Sequence, residues 1–207
     1  SPDAKTLMRF NWNAAIAQDP FDKKTIYFGS QFLHKSTNKG AAWKLISPDL
    51  TTNDSAKIDQ TNNGGLSIDI TGAENHCTII AIAPSSVQKD LIWIGTDDGN
   101  VQFTSNGGAT WNNVTANITG LPKGAWIPQI RTSTYNANEV FVVANNYRQG
   151  DFAPYVFRTT DQGKTWTNIL SAAKVTGYAL SVIQDIVEPN LFFVGTEQGM
   201  YVSLDNA

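Results

Sequence analysis

An eight-residue pattern returns three times along this chain and then begins again. Ser36-Thr37-Asn38-Lys39-Gly40-Ala41-Ala42-Trp43 aligns with Thr104-Ser105-Asn106-Gly107-Gly108-Ala109-Thr110-Trp111 and with Thr159-Thr160-Asp161-Gln162-Gly163-Lys164-Thr165-Trp166. A fourth copy opens at Ser203-Leu204-Asp205. The shared form is [S/T]-x-[D/N]-x-G-x-T-W, with Ala42 in place of Thr in the first copy. A repeat of this kind constrains architecture more than any single residue, because each unit must bury its apolar surface against its neighbours. The pattern also has a local meaning. A short Asp or Asn side chain accepts from backbone N–H groups further along and closes a turn. The Gly admits positive φ in that turn. The Thr and Trp that follow favour an extended strand, with the Trp ring folding over the turn. Each copy is therefore expected at the tip of a β-hairpin.

The apolar runs around the copies give a four-strand unit. The expected strands are 12–18, 25–29, 32–37 and 42–47 in the first unit, and 77–83, 91–96, 100–105 and 110–115 in the second. They are 126–133, 139–145, 155–160 and 165–170 in the third, and 179–187, 191–195 and 199–204 in the last. First strands such as Thr78-Ile79-Ile80-Ala81-Ile82-Ala83 are almost wholly apolar, as expected of strands covered on both faces. Fourth strands such as Trp111-Asn112-Asn113-Val114-Thr115 are mixed, as expected at a rim. The copies start at 36, 104, 159 and 203, so successive starts are 68, 55 and 44 residues apart. The shortest spacing approaches the minimum for a four-stranded blade, and the longer ones carry insertions. The expected fold is all-β: a partial β-propeller of about four blades at roughly 10–47, 76–115, 125–170 and 179–207. The last blade is expected to lack its outer strand, and 48–75 to form an inter-blade insertion. A plain antiparallel sandwich is the alternative, but it gives the box spacing no reason to recur.

The copies resemble the Asp-box, or BNR repeat, of sialidases, sortilin-type receptors and xyloglucanase-like glycoside hydrolases. The resemblance is carried by Ser36, Asn38, Gly40 and Trp43; by Thr104, Asn106, Gly108 and Trp111; and by Thr159, Asp161, Gly163 and Trp166. The third copy matches the family pattern in full, whereas the first two carry Asn at the Asp position. Other stretches resemble large secreted bacterial BNR-like or sortilin-like proteins: Arg9-Phe10-Asn11-Trp12-Asn13, Ser47-Pro48-Asp49-Leu50-Thr51, Gly95-Thr96-Asp97-Asp98-Gly99 and Asp151-Phe152-Ala153-Pro154-Tyr155. The resemblance implies a propeller in which the box is structural, with ligands over the central channel. It does not assign an activity.

Composition narrows the function. Charged residues are only 16% of the 207, net charge is −3, and there is no Lys/Arg cluster, so neither nucleic acid nor an anionic membrane surface is the expected partner. No apolar run reaches the length of a membrane span. The single cysteine, Cys77, excludes a disulfide framework within the chain and is expected as a buried thiol. Low charge, abundant Asn and Thr, and N-x-[S/T] triplets at Asn53, Asn113 and Asn117 fit an exported protein, extracellular, cell-surface or periplasmic.

Strand alternation places two long connections, 48–75 and 145–154, on one end of the disc and every box turn on the other. Function usually sits on such loops. The candidates on that end are Arg9, Trp12, Gln31, Glu74, His76, Asp97, Asp98, Trp126, Tyr147, Arg148, Asp151 and Glu197. Aromatic platforms beside carboxylates and amides suit sugars, and paired carboxylates would suit glycoside hydrolysis. Each also has a plain structural role: Asp97-Asp98-Gly99 and Glu197-Gln198-Gly199 occupy one hairpin position, and turn Asp residues commonly just form the turn. Trp12 and Trp126 can fill space between blades, and no His/Cys spacing suggests a metal site. A sialidase needs several arginines, and only Arg9, Arg131 and Arg148 fall near the useful face. No nucleophile-elbow, phosphate-loop or zincin motif is present, and no cofactor is expected. The sharpest expected contact set is Tyr147, Arg148, Asp151 and Phe152 with Asp97 and Asp98 of the neighbouring blade. Docking of that loop on its own blade, with Arg148 paired to Asp151, is the competing expectation. The expected function is a propeller segment of a larger exported protein that binds a glycan or a protein partner, with remaining blades of the same protein also candidate partners. Part of a glycoside hydrolase and a structural subunit of a surface assembly stay open beside it.

Overall fold

The computed structural model describes residues 6–59 and 74–205. Among these residues fifteen strands form four antiparallel sheets, each in simple sequential order. Blade 1 holds β1 (Ile16–Gln18), β2 (Ile26–Gly29), β3 (Leu33–Ser36) and β4 (Lys44–Leu45). Blade 2 holds β5 (Ile79–Pro84), β6 (Ile92–Thr96), β7 (Val101–Thr104) and β8 (Asn112–Asn113). Blade 3 holds β9 (Trp126–Thr132), β10 (Val140–Asn146), β11 (Asp151–Thr159) and β12 (Thr167–Asn168). Blade 4 has three described strands, β13 (Ala179–Gln184), β14 (Phe192–Thr196) and β15 (Gly199–Ser203). Among the described residues helix is confined to α1 (Ser55–Ile58) and single 3-10 turns at Thr115–Asn117 and Tyr147–Gln149. The fold is an all-β partial propeller.

Alternation along the second strands explains how blades stack. On β6, Ile92 and Ile94 join a core with Tyr27 and Leu33 of blade 1, while Trp93 joins Ile127 and Val142 of blade 3. On β10, Val140 and Val142 face blade 2, while Phe141 and Val143 pack with Val182 and Phe192 of blade 4. Both faces of these strands are dry, hence the unbroken apolar runs.

The repeated motif builds one turn three times. The first hydroxyl accepts from the N–H of the Gly: Gly40 to Ser36 at 2.8 Å, Gly108 to Thr104 at 2.9 Å, and Gly163 to Thr159 at 2.9 Å. The third residue's Oδ1 accepts from a backbone N–H four residues on: Ala42 to Asn38 at 2.8 Å, Thr110 to Asn106 at 2.9 Å, and Thr165 to Asp161 at 2.9 Å. Asn serves as well as Asp because the bond needs only a carbonyl-type acceptor. Positions four and five are left-handed in every copy, at Lys39 and Gly40, Gly107 and Gly108, and Gln162 and Gly163. The turn then donates to the hairpin joining the blade's first two strands, from Lys39 N to Lys24 O, Gly107 N to Asp90 O and Gln162 N to Asn138 O. It also reaches the preceding blade, where Trp111 Nε1 donates to Ile46 O and Trp166 stands edge-on to Trp93. In the fourth copy Ser203 Oγ donates to Asp205 Oδ1, as Ser36 does to Asn38, Thr104 to Asn106 and Thr159 to Asp161, and its Asn206 and Ala207 lie outside the described residues.

One difference from expectation concerns length. The fourth strands pair over only two residues, because the box turn occupies the positions before them. Within the 48–75 insertion, residues 60–73 lie outside the described residues.

Candidate binding site on the loop-bearing face

Chain direction defines the two ends of the disc. The inner strands β5, β9 and β13 begin at the end where the second and third strands of each blade are joined. The boxes lie at the other end. Three inner strands carry a bulge after their first residues, which fixes equivalent positions: Ala81, Gln129 and Ser181 follow the bulge in blades 2, 3 and 4. Three residues earlier stand Thr78, Trp126 and Tyr178. In blades 3 and 4 this rim position is therefore aromatic, and each is preceded by a left-handed glycine, Gly124 and Gly177.

The long loop of blade 3 lies across these two rings. After β10 it forms a 3-10 turn over Tyr147–Gln149 that closes on Gly150, which is left-handed at φ 77°. Tyr147 stacks on Tyr178 with centroids 4.4 Å apart and planes 25° apart. The Arg148 guanidinium carbon sits 3.5 Å from the Trp126 centroid and 4.4 Å from that of Tyr147. His76, opening blade 2, meets Trp126 edge-on at 6.2 Å, and Phe152 lies 6.3 Å from Tyr178. The order His76, Trp126, Arg148, Tyr147, Tyr178, Phe152 is a ladder spanning blades 2 to 4. A cation over an indole face gains from the ring quadrupole while its in-plane N–H donors stay available. Phe152 is 55% exposed and ends the ladder in solvent.

Asp151 does not pair with Arg148. It accepts from Tyr155 Oη at 2.9 Å, Ala153 N at 3.1 Å and Asn146 Nδ2 at 3.3 Å. Burial acts to raise its pKa, but these donors outweigh it and hold the carboxyl below its ordinary value. Asp151 therefore braces the start of β11, and Arg148 is held by aromatic faces instead.

Asp97 and Asp98 correct the sequence expectation, for both are turned inward, at 0% and 2% exposure. Asp97 accepts from Thr78 N at 2.8 Å, Thr78 Oγ1 at 2.6 Å and Asn11 Nδ2 at 3.1 Å. Burial raises its pKa, against the opposing pull of His76 and the Thr78 donors. Asp98 accepts from Thr52 N at 2.7 Å and Thr52 Oγ1 at 2.6 Å, and from the Thr96 hydroxyl. They fasten the N-terminal segment and the insertion to blade 2, and their lone pairs are occupied. Arg9 and Gln31 belong to the same fastening. Arg9 is buried and donates to Asp49 at 2.7 Å and to Cys77 O at 3.2 Å, and Gln31 bridges Arg9 N and Leu7 O. Arg131 sits near the far end of β9, at the box end of the disc, not on the loop-bearing face. Glu197 is exposed beside the turn that presents Tyr178. Trp12 is 70% exposed, and its indole N–H donates to Glu74 at 2.7 Å.

Between blades 2 and 3 the ladder floors a cavity of about 70 Å³, lined by Lys57, His76, Gly124, Trp126, Asn145 and Arg148 among others. Asn145 is 3% exposed and its Oδ1 has no hydrogen-bond partner among the described residues. A buried acceptor left unmade costs about 1–3 kcal/mol. Tyr178, Asn145 and Lys57 were not singled out from sequence. Tyr178 had a signal, the Gly-aromatic step at the opening of an inner strand, shared in looser form with Gly124-Ala125-Trp126. Asn145 and Lys57 had none, since their meeting depends on the path of the insertion.

No protein family model matches the chain, and no curated protein matches it in sequence. Solved structures do. An ancestral GH74 enzyme superposes with a TM-score of 0.66 at 20% identity over 99% of this chain and 25% of that one. The extracellular domain of a one-component system from B. thetaiotaomicron gives 0.57 at 11% over 95% of this chain and 21% of that one. YCF48 from Cyanidioschyzon merolae gives 0.52 at 12% over 98% of this chain and 55% of that one. The chain thus spans about a quarter to a half of these proteins, and the likeness is one of fold. No helix among the described residues is long and apolar enough to cross a membrane.

Proposed function

We propose that this chain is an Asp-box propeller segment of a larger exported protein and that its loop-bearing face binds a glycan. The observation that carries this reading is the ladder itself. Four aromatic side chains and one guanidinium are gathered on a solvent-facing rim, held in place by each other and by Asp151. Such a surface offers flat apolar faces to sugar rings, with N–H donors at its edge for hydroxyls. A protein partner would use the same rigid aromatic and Arg anchors.

A hydrolytic role is less well supported. Glycoside hydrolysis takes two carboxyl groups about 5–9.5 Å apart across the scissile bond. On this face Asp97 and Asp98 are sealed and Asp151 is braced, while Glu197 is exposed beside the turn that presents Tyr178. A hydrolase would need the second one from other blades.

The test is an array of neutral and acidic oligosaccharides probed with the protein, followed by calorimetry on the hits. Tyr147→Ala and Arg148→Ala should each weaken binding by on the order of 1 kcal/mol, in the range of ordinary contact residues, with little change in thermal stability. Loss of stability with unchanged binding would assign the loop to the scaffold. Cleavage of a bound oligosaccharide would replace the binding reading with the hydrolase one.

A further inference from the structure

We propose that the cavity between blades 2 and 3 is a subsite for a hydroxy-carboxylate, the acid group of a uronic-acid residue. This rests on the glycan reading above and specifies which sugar that face selects.

Two cationic side chains, Lys57 and Arg148, line one small enclosed space, and neither has a carboxylate partner within 4 Å among the described residues. They arrive from different elements, Lys57 from the last turn of α1 and Arg148 from the blade 3 loop. Lys57 Nζ lies 3.2 Å from where a Cβ on Gly124 would stand, so the glycine leaves the ammonium room at the wall. Arg148 is fixed by stacking, and no hydrogen bond within the described protein uses its donors. A preorganised fork beside an ammonium calls for a planar oxyanion.

Asn145 narrows the class. Asn145 lines the same cavity, and its buried Oδ1 is an acceptor without a donor among the described residues. A simple deprotonated anion would satisfy the cations and leave this atom stranded. A ligand with a hydroxyl next to its carboxylate satisfies both at once. The volume, about 70 Å³, admits the acid group and its neighbouring hydroxyl, not a whole sugar. The ring would remain outside, on the solvent-facing rim.

The experiment is calorimetric titration of the full chain with D-glucuronate and with D-glucose, in low and moderate salt. Glucuronate should bind at least roughly tenfold more tightly, the size of one charge-assisted hydrogen bond, and lose affinity as salt rises. Lys57→Met should remove most of that preference and leave glucose unchanged, and Arg148→Gln should lower glucuronate affinity more than it lowers glucose affinity. Asn145→Leu should weaken glucuronate, and the two surface variants decide the matter if that core variant does not fold. Equal affinity for the two sugars, or a preference insensitive to both surface variants, overturns the proposal. So does displacement by an acidic peptide where glucuronate fails, which would reassign the cavity to a protein partner. Neutral oligosaccharide binding that depends on Phe152 and Tyr178 without any uronate preference would refute this subsite and leave the glycan-binding face standing. Absence of binding by any sugar would overturn both.

Discussion

Blade spacing is set by a size exchange that can be tested by swapping it. Gly95 of β6 lies against β9, and a Cβ there would stand 2.8 Å from Ile127 Cβ and 3.1 Å from its carbonyl oxygen. Gly29 meets Ile79 in the same way one blade earlier, at 2.9 Å. In blade 3 the equivalent position is Val143, and the facing inner-strand residue is Ala179, both in the core shared with blade 4. The pair is glycine with isoleucine twice and valine with alanine once, so the summed size is roughly kept. Gly95→Ala asks for close to 1 Å of extra room between backbones whose carbons already sit inside ordinary contact distance, about 3.5–4.0 Å. The overpacking cost is about 1–3 kcal/mol, less the few tenths returned by a stiffer unfolded chain. Ile127→Ala alone leaves a cavity at a fully buried site, about 2–5 kcal/mol. Together the added methyl fills part of the deleted volume, so the double variant should be more stable than the sum by more than about 1 kcal/mol. Gly195→Ala, at the equivalent position in blade 4, would meet only the Ser181 hydroxyl at 2.7 Å and should change stability by less than about 0.5 kcal/mol. Urea titrations followed by tryptophan fluorescence measure all four. Additive effects of Gly95→Ala and Ile127→Ala, or a Gly95→Ala variant as stable as the parent, would refute the exchange.

Three further outcomes follow from the turn and the buried groups. Asp161 donors from Thr165, Thr159 and Lys164 hold its pKa down to about 2. Its contribution is therefore present above the ordinary carboxylate value of 3.8 and is lost as pH falls toward 2. Asp161→Asn should keep the turn, as Asn38 and Asn106 do, and flatten that part of the acid titration, whereas Asp161→Ala should destabilise at neutral pH; circular dichroism against pH separates them. Burial, reinforced by Asp98, pushes the Cys77 thiol up to about 12, so labelling by a maleimide should be slow in the native protein and rise only with denaturant. Asp98→Ala strands the Thr52 N–H and hydroxyl and should cost about 1–3 kcal/mol; protection of residues near Thr52 in hydrogen exchange should fall, and unchanged protection would show that the insertion is held elsewhere.

The architecture was legible because its causes are local and repeated. A hydroxyl, an Asx acceptor and a left-handed glycine fit into eight residues, and three copies in register with apolar strands leave few folds. Both sheet faces being covered was visible in runs such as Ile79-Ile80-Ala81-Ile82. The blade 3 loop was also legible, since Asn145 to Pro154 exceeds what a two-strand turn needs and carries an aromatic, a cation and a carboxylate.

The site within that loop was legible in composition but not in pairing. Sequence places Arg148 near Asp151 and near the Asp97-Asp98 turn, and Coulomb attraction argues for a salt bridge with one of them. Hydrogen-bond supply decides otherwise. Asp97 is reached by the Asn11 side-chain amide and Asp98 by the Thr52 backbone N–H and hydroxyl, donors from segments distant in sequence that no local pattern reveals. Asp151 is satisfied by Tyr155 and Asn146 within its own hairpin. With Asp97, Asp98 and Asp151 supplied, the guanidinium takes the indole face of Trp126. Arg148 is thereby left without a carboxylate partner among the described residues, and Asn145, which lines the same cavity, keeps an Oδ1 with no hydrogen-bond partner there.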